Sequence, residues 1–225
     1  MQVKGIPLIK FQSEDKIKKL QDGLVYMNTL EWYRKHENSN GDMVVGDSFE
    51  GMLHFNAAEL FLPDLGETIK LNGNLMKTTH SNDYAFCMLG VKPNLMTFRF
   101  TEKQKREMLN FGDTALLILD SDEFIKRMEK SAKEKGYKLY KNFVKYFDEQ
   151  KDHVDIFISL MLGEQNIAFW KRESYAYQNE FRFVISAEGL TDEHLELDIG
   201  NIKDISAIMK TSSVLNAEVF RRKGD

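Results

Sequence analysis

The residues with the most chemical content lie in one stretch, Phe169-Trp170-Lys171-Arg172-Glu173-Ser174-Tyr175-Ala176-Tyr177-Gln178-Asn179-Glu180-Phe181-Arg182-Phe183-Val184-Ile185. A polar, aromatic loop runs directly into an alternating segment. At a period of two, Phe181, Phe183 and Ile185 face one side of a strand, and Gln178, Glu180 and Arg182 share the other. A carboxylate fixed at the start of a strand can stabilise a cation that develops in a transition state. Strand ends are also where loops carry reactive groups on a rigid support. The competing reading is that Glu180 and Arg182 make cross-strand ion pairs on a solvated face.

Other groups carry weaker signals. Asp42, Asp47 and Glu50 lie in a glycine-containing segment, but their spacing does not fit a calcium loop, and no metal site is expected. The histidines at 36, 54, 80, 153 and 194 are scattered without zinc spacing, and His54 and His153 read as structural. Cys87 is the single cysteine and sits in the apolar run Ala85–Leu89, which suits a buried, inert thiol. Trp170 beside Lys171 and Arg172 could stack a base or a nicotinamide, or simply anchor its loop. The lysines between 126 and 145 interleave with Tyr137, Tyr140 and Phe143. Acidic neighbours dilute that face, so it reads as solvated surface. No phosphate-cradling glycine loop, dinucleotide fingerprint, paired-histidine zinc motif or nucleophile elbow is present.

Tyr175-Ala176-Tyr177-Gln178-Asn179-Glu180, running into a strand, resembles the loop and Q-x-E motif of ADP-ribosyltransferases. The resemblance implies NAD as substrate and Glu180 as the glutamate that steadies the ribosyl cation while nicotinamide leaves. It implies Gln178 as the residue that places the acceptor. Tyr175 or Tyr177 would be the loop aromatic, Tyr26 or Tyr175 would stack the nicotinamide, and Lys10 would meet a phosphate. The opening Leu8 to Ser13, a short helix, and Asp22 to Asn28 resemble the start of the same superfamily. Lys10 stands where those enzymes usually offer His or Arg, and a lysine lacks the bidentate fork. The chain also resembles a group of uncharacterised prokaryotic and phage-borne proteins. They carry an acidic Gly-Asp-x-Phe/Tyr-Glu-Gly segment and a Tyr-x-x-Glu-x-Arg strand, here Gly46–Gly51 and Tyr177–Arg182. This implies a setting of phage defence or counter-defence, with a protein or nucleic acid as acceptor. The alternative is a non-catalytic binding protein of a mobile element, acting by protein–protein contact.

These groups need a scaffold. With 225 residues, 42% of them hydrophobic and 29% charged, the chain can bury one substantial core. A net charge of −4 argues against a globally basic nucleic-acid binder. No run approaches about 20 apolar residues, and no apolar leader opens the chain, so a soluble cytoplasmic protein without a membrane partner is expected. Strands are predicted at 6–11, 24–28, 52–56, 84–91, 95–100, 115–119, 155–160, 181–185, 195–199 and 205–209. A hairpin joins 68–71 to 75–78 across Asn72-Gly73-Asn74. Helices are predicted at 14–22, capped by Ser13 and stopped by Gly23, after Thr29, after the capping box Thr101–Gln104, and at 120–135. Residues 137–147 fit helix by spacing and strand by aromatic content. Asn38 to Glu50 has few apolar residues and is expected to be among the more mobile parts, and a lid or partner contact if it borders the cleft. The pattern predicts a single α+β domain over 1–225, with a mostly antiparallel, split sheet and several short helices. The resemblance makes it ADP-ribosyltransferase-like.

Overall fold

The chain opens with β1 (Leu8–Gln12), α1 (Glu14–Gln21), β2 (Leu24–Thr29) and α2 (Leu30–Asn40). The computed structural model describes residues 3–40, 45–55, 58–71, 75–78, 83–92, 97–148, 164–186 and 189–220. In α1, Glu14 and Asp15 occupy the first turn and Lys18 and Lys19 the last, which complements the helix dipole. Ile17 and Leu20 point to the core at i, i+3 spacing. Gly23 ends the helix with φ +111°, and an added Cβ there would stand 2.5 Å from the Gly200 carbonyl oxygen. Gly23→Ala is therefore expected to cost roughly 1–3 kcal/mol, read as a lower urea midpoint at an unchanged slope. An unchanged midpoint would show that the turn relaxes freely.

Next come β3 (Met52–Phe55), β4 (Ala58–Leu62), β5 (Glu67–Leu71), β6 (Leu75–Thr78), β7 (Asp83–Gly90) and β8 (Thr97–Arg99). The expected hairpin is not formed: β5 pairs with β4, and β6 pairs with β3. The tight turn is Pro63-Asp64-Leu65-Gly66, with Gly66 at φ +62°, so the inner pair closes there. Asn72-Gly73-Asn74 lies outside the described residues, as does the strand expected at 155–160.

The capping box at Thr101 and Gln104 is present and starts α3 (Glu102–Met108). Then follow β9 (Thr114–Ile118), α4 (Ser121–Glu134), capped by Asp120, and the strands β10 (Lys138–Phe143) and β11 (Lys145–Phe147). Strand wins over helix at 138–147 because β10 pairs with the central sheet residue by residue. The chain ends with β12 (Trp170–Arg172), β13 (Glu180–Ser186), β14 (His194–Asp198), β15 (Ser206–Lys210), α5 (Thr211–Leu215) and β16 (Glu218–Phe220).

The main sheet runs β10-β13-β7-β1-β9-β15, with β2 also on β7 and β14 on β2. Every pair in it is antiparallel. One edge of β7 is shared: β1 pairs with Leu89 and Gly90, β2 with Tyr84 and Ala85. The two strands thus leave β7 as a fork, and the sheet splits there. α1 and α4 cover one face through a core that includes Ile17, Phe124, Met128, Phe181 and Phe183. The other face is covered in two patches. One contains Met108 and Val214, the other Leu30 and Phe169. The result is the α+β domain the pattern predicts. Among the described residues, no helix is long and apolar enough to cross a membrane.

Candidate functional site

β13 begins abruptly. Residues 173–178 form a 3-10 turn, and Asn179 takes φ 42°, the left-handed region that Asn tolerates better than most residues. That reversal aims Glu180 and Arg182 at the face away from α1 and α4. The side chains do not meet solvent, because Glu180 is 4% exposed and Arg182 1%. The cross-strand pairing on a solvated face is therefore replaced by a bond along one strand: Arg182 Nε donates to Glu180 Oε1 at 2.7 Å.

The partners come from distant segments. Lys171, held in β12 by its parallel pairing with β11, donates to Glu180 Oε2 at 3.3 Å and to Gln178 Oε1 at 2.9 Å. Arg182 forks onto Glu50 at 2.5 and 3.1 Å and also donates to the Ala168 carbonyl. Arg172 donates to Asp47 at 2.8 Å and to Glu37 at 2.8 and 3.0 Å. The Tyr146 hydroxyl accepts the Glu180 backbone N–H at 2.9 Å. Three cations and four carboxylates are thereby brought together in the interior. The two segments quoted for the phage-borne resemblance, Gly46–Gly51 and Tyr177–Arg182, meet through Glu50 and Arg182.

Burial pushes the Glu180 carboxyl up, but Arg182 and then Lys171 outweigh it and hold the group well below the usual carboxylate range. At Glu50 burial prevails over the same two cations and its carboxyl is held above that range. The two carboxylates share their cations and titrate as a set. Burial lowers the affinity of Lys171 for its proton, yet Glu180 and Glu50 raise it by more, so it stays charged. The Cys87 residue is half-buried rather than fully buried, and its thiol, against Glu180, is pushed up to about 12 by desolvation and then by that carboxylate, which disfavours the thiolate.

A pH dependence follows from Glu180. Its folded-state pKa is depressed, so its contribution is present above the unfolded value of about 4.3 and is lost as pH falls below it. Stability measured by urea titration is expected to drop between about pH 4.5 and 3 in wild type, and the drop should shrink in Glu180→Gln. Equal acid sensitivity in both would contradict the assignment. Glu50, raised, acts in the opposite sense, favouring the folded state at low pH and opposing it once ionised.

The other expected site residues are dispersed. Tyr175 is buried, and its hydroxyl donates to the Gly46 carbonyl at 2.9 Å. Tyr177 packs beside the Met108 patch with the Lys103 amine 4.9 Å from its ring centroid. Gln178 is buried on Lys171. Register assigns the faces. Glu180 pairs with Leu89, and Leu89 pairs with Ile9, so Ile9 shares the Glu180 face and Lys10 lies on the opposite one. Lys10 reaches into the fork, donating to the Cys87 carbonyl at 2.8 Å with its amine 4.9 Å from the Phe86 ring centroid. Tyr26 has the Glu180 parity but stands two residues beyond the β2–β7 pairing, 48% exposed and stacked on His194. Lys10, Tyr26 and Glu180 do not line one common face.

Lys171, Arg172 and Glu37 belong to the cluster and carry no motif signal beyond charge in an aromatic context. Asp47 and Glu50 were visible in the acidic Gly46–Gly51 segment and in a glycine-containing stretch without calcium-loop spacing, and each is bonded to an arginine. Among the described residues, no group of acidic, histidine or cysteine side chains has the arrangement of a metal site. No family model matches the sequence, and neither a curated protein nor a solved structure is significantly similar to it.

Proposed function

We propose that the chain is a binding protein on a transferase-like scaffold, acting by protein–protein contact in a phage or mobile-element setting. One observation carries this reading. Both oxygens of Glu180 are engaged by buried cations of the same chain, Arg182 at 2.7 Å and Lys171 at 3.3 Å. A carboxylate so neutralised has little negative potential left for a ribosyl cation. The register of Lys10, on the opposite face of the sheet from Glu180, weighs against a phosphate contact in the same cleft. Wild type is expected to release no nicotinamide from NAD and to gain no thermal stability from millimolar NAD, since a ligand of the native state must raise its apparent stability. Measurable release, abolished by Glu180→Gln, would overturn the reading.

A second reading is the NAD-dependent mono-ADP-ribosyltransferase, with Glu180 catalytic, Gln178 placing the acceptor and Tyr175 or Tyr177 on the substrate. It is favoured by the convergence of four segments on Glu180, since groups with strongly displaced pKa values gather at active sites. It requires Lys171 to leave the carboxylate when NAD binds. The acceptor would be a protein or a nucleic acid.

A further inference from the structure

The segment Gly46–Gly51 is seated as a bound peptide would be. The Arg172 guanidinium lies between two rings, 4.8 Å from the Phe49 centroid and 5.2 Å from that of Tyr175. Its edge bonds Asp47, and Glu37 of α2 completes the set. Three residues on from Asp47, Glu50 enters the fork of Arg182, while Arg34 donates to the Glu50 carbonyl at 2.5 Å. Acid and aromatic at positions i and i+2 are thus both received by Arg172, and the acid at i+3 by Arg182. The seating is incomplete: Asp47 is fully buried, yet its Oδ2 has no hydrogen-bond partner. A buried carboxylate oxygen without a donor does not recover its hydration, so this occupant is held less firmly than its two arginines alone would hold it.

We infer that the groove formed by Arg34, Glu37, Arg172, Tyr175 and Arg182 recognises acidic–aromatic polypeptide segments of a partner protein. In the free chain, Asp47-Ser48-Phe49-Glu50 occupies it as an internal pseudo-ligand. The inference rests on the contact reading above and names its surface and the chemistry of the partner. Recognition is by stacking on Arg172 and charge-assisted bonds to two arginines. A tethered segment has an effective concentration in the millimolar range, so a partner must bring added contacts to displace it.

The test uses the Asp47→Asn/Glu50→Gln double variant, which weakens the internal occupant. A labelled peptide of residues 45–51 is titrated and followed by fluorescence anisotropy, beside the same peptide carrying Asp47→Asn and Glu50→Gln. The acidic peptide is expected to bind at least about tenfold more tightly, and adding Arg172→Met to the protein should remove that preference. Equal binding of the two peptides overturns the inference. So does absence of binding to a variant that melts cooperatively, or displacement of the acidic peptide by stoichiometric inorganic pyrophosphate. Should the double variant not fold, wild type is mixed with excess acidic peptide and amide exchange of residues 45–51 is measured: faster exchange supports the inference and unchanged exchange overturns it. Nicotinamide release by wild type would overturn the contact reading separately, while the anisotropy result still decides the groove.

Discussion

Glu180→Gln is expected to lower the free energy of unfolding by about 3–5 kcal/mol, because it breaks a buried ion cluster from one side only. The variant keeps the size of the side chain but leaves Arg182 and Lys171 short of a counter-charge where both are at most 5% exposed. Solvent cannot screen that loss, as it would for a surface pair. The amide must also place an NH2 group against one of two donors, so a repulsive contact replaces a bond. With total stability commonly 5–15 kcal/mol, the urea midpoint should fall by a large fraction. The transferase reading expects the opposite profile, near-native stability and a loss of roughly 10²–10³ in rate. Melting curves and nicotinamide release on the same samples separate them. A midpoint within the error of wild type would end the structural account of Glu180.

Arg182→Met should be at least as damaging, with a loss of about 3–5 kcal/mol or more. Methionine fills much of the volume but removes the bonds to Glu180, Glu50 and the Ala168 carbonyl together. Glu50 is then left with Lys171, 3.9 Å away, which already serves Glu180 at 3.3 Å. The specific expectation is non-additive. Adding Glu50→Gln to Arg182→Met removes the excess buried anion and should leave the double variant about 0.5–3 kcal/mol more stable than the sum of the two single effects. A double variant that simply sums the two single effects would show that Glu50 and Arg182 are not energetically linked.

The local pattern determined a good deal. Alternation from Phe181 to Ile185 gave the strand, its apolar face and the shared face of Glu180 and Arg182, because side-chain direction in a strand depends only on parity. The Thr101–Gln104 box and Asp120 marked two helix starts, since a cap is a bond between residues three apart. Tertiary structure decided what those local rules cannot reach. The bond from Arg182 to Glu50 spans 132 positions, so nothing near either residue signals the other. The face of Lys10 follows from pairing of β1 with β7 and of β7 with β13, two registers that are set by core packing. The exposure of Glu180 was likewise undetermined: alternation places its side chain on the face opposite Phe181, but only the layer at 164–178 and the segment at 45–51 make that face an interior. In that interior, charge that would be solvated on an open sheet must be matched by charge from the same chain.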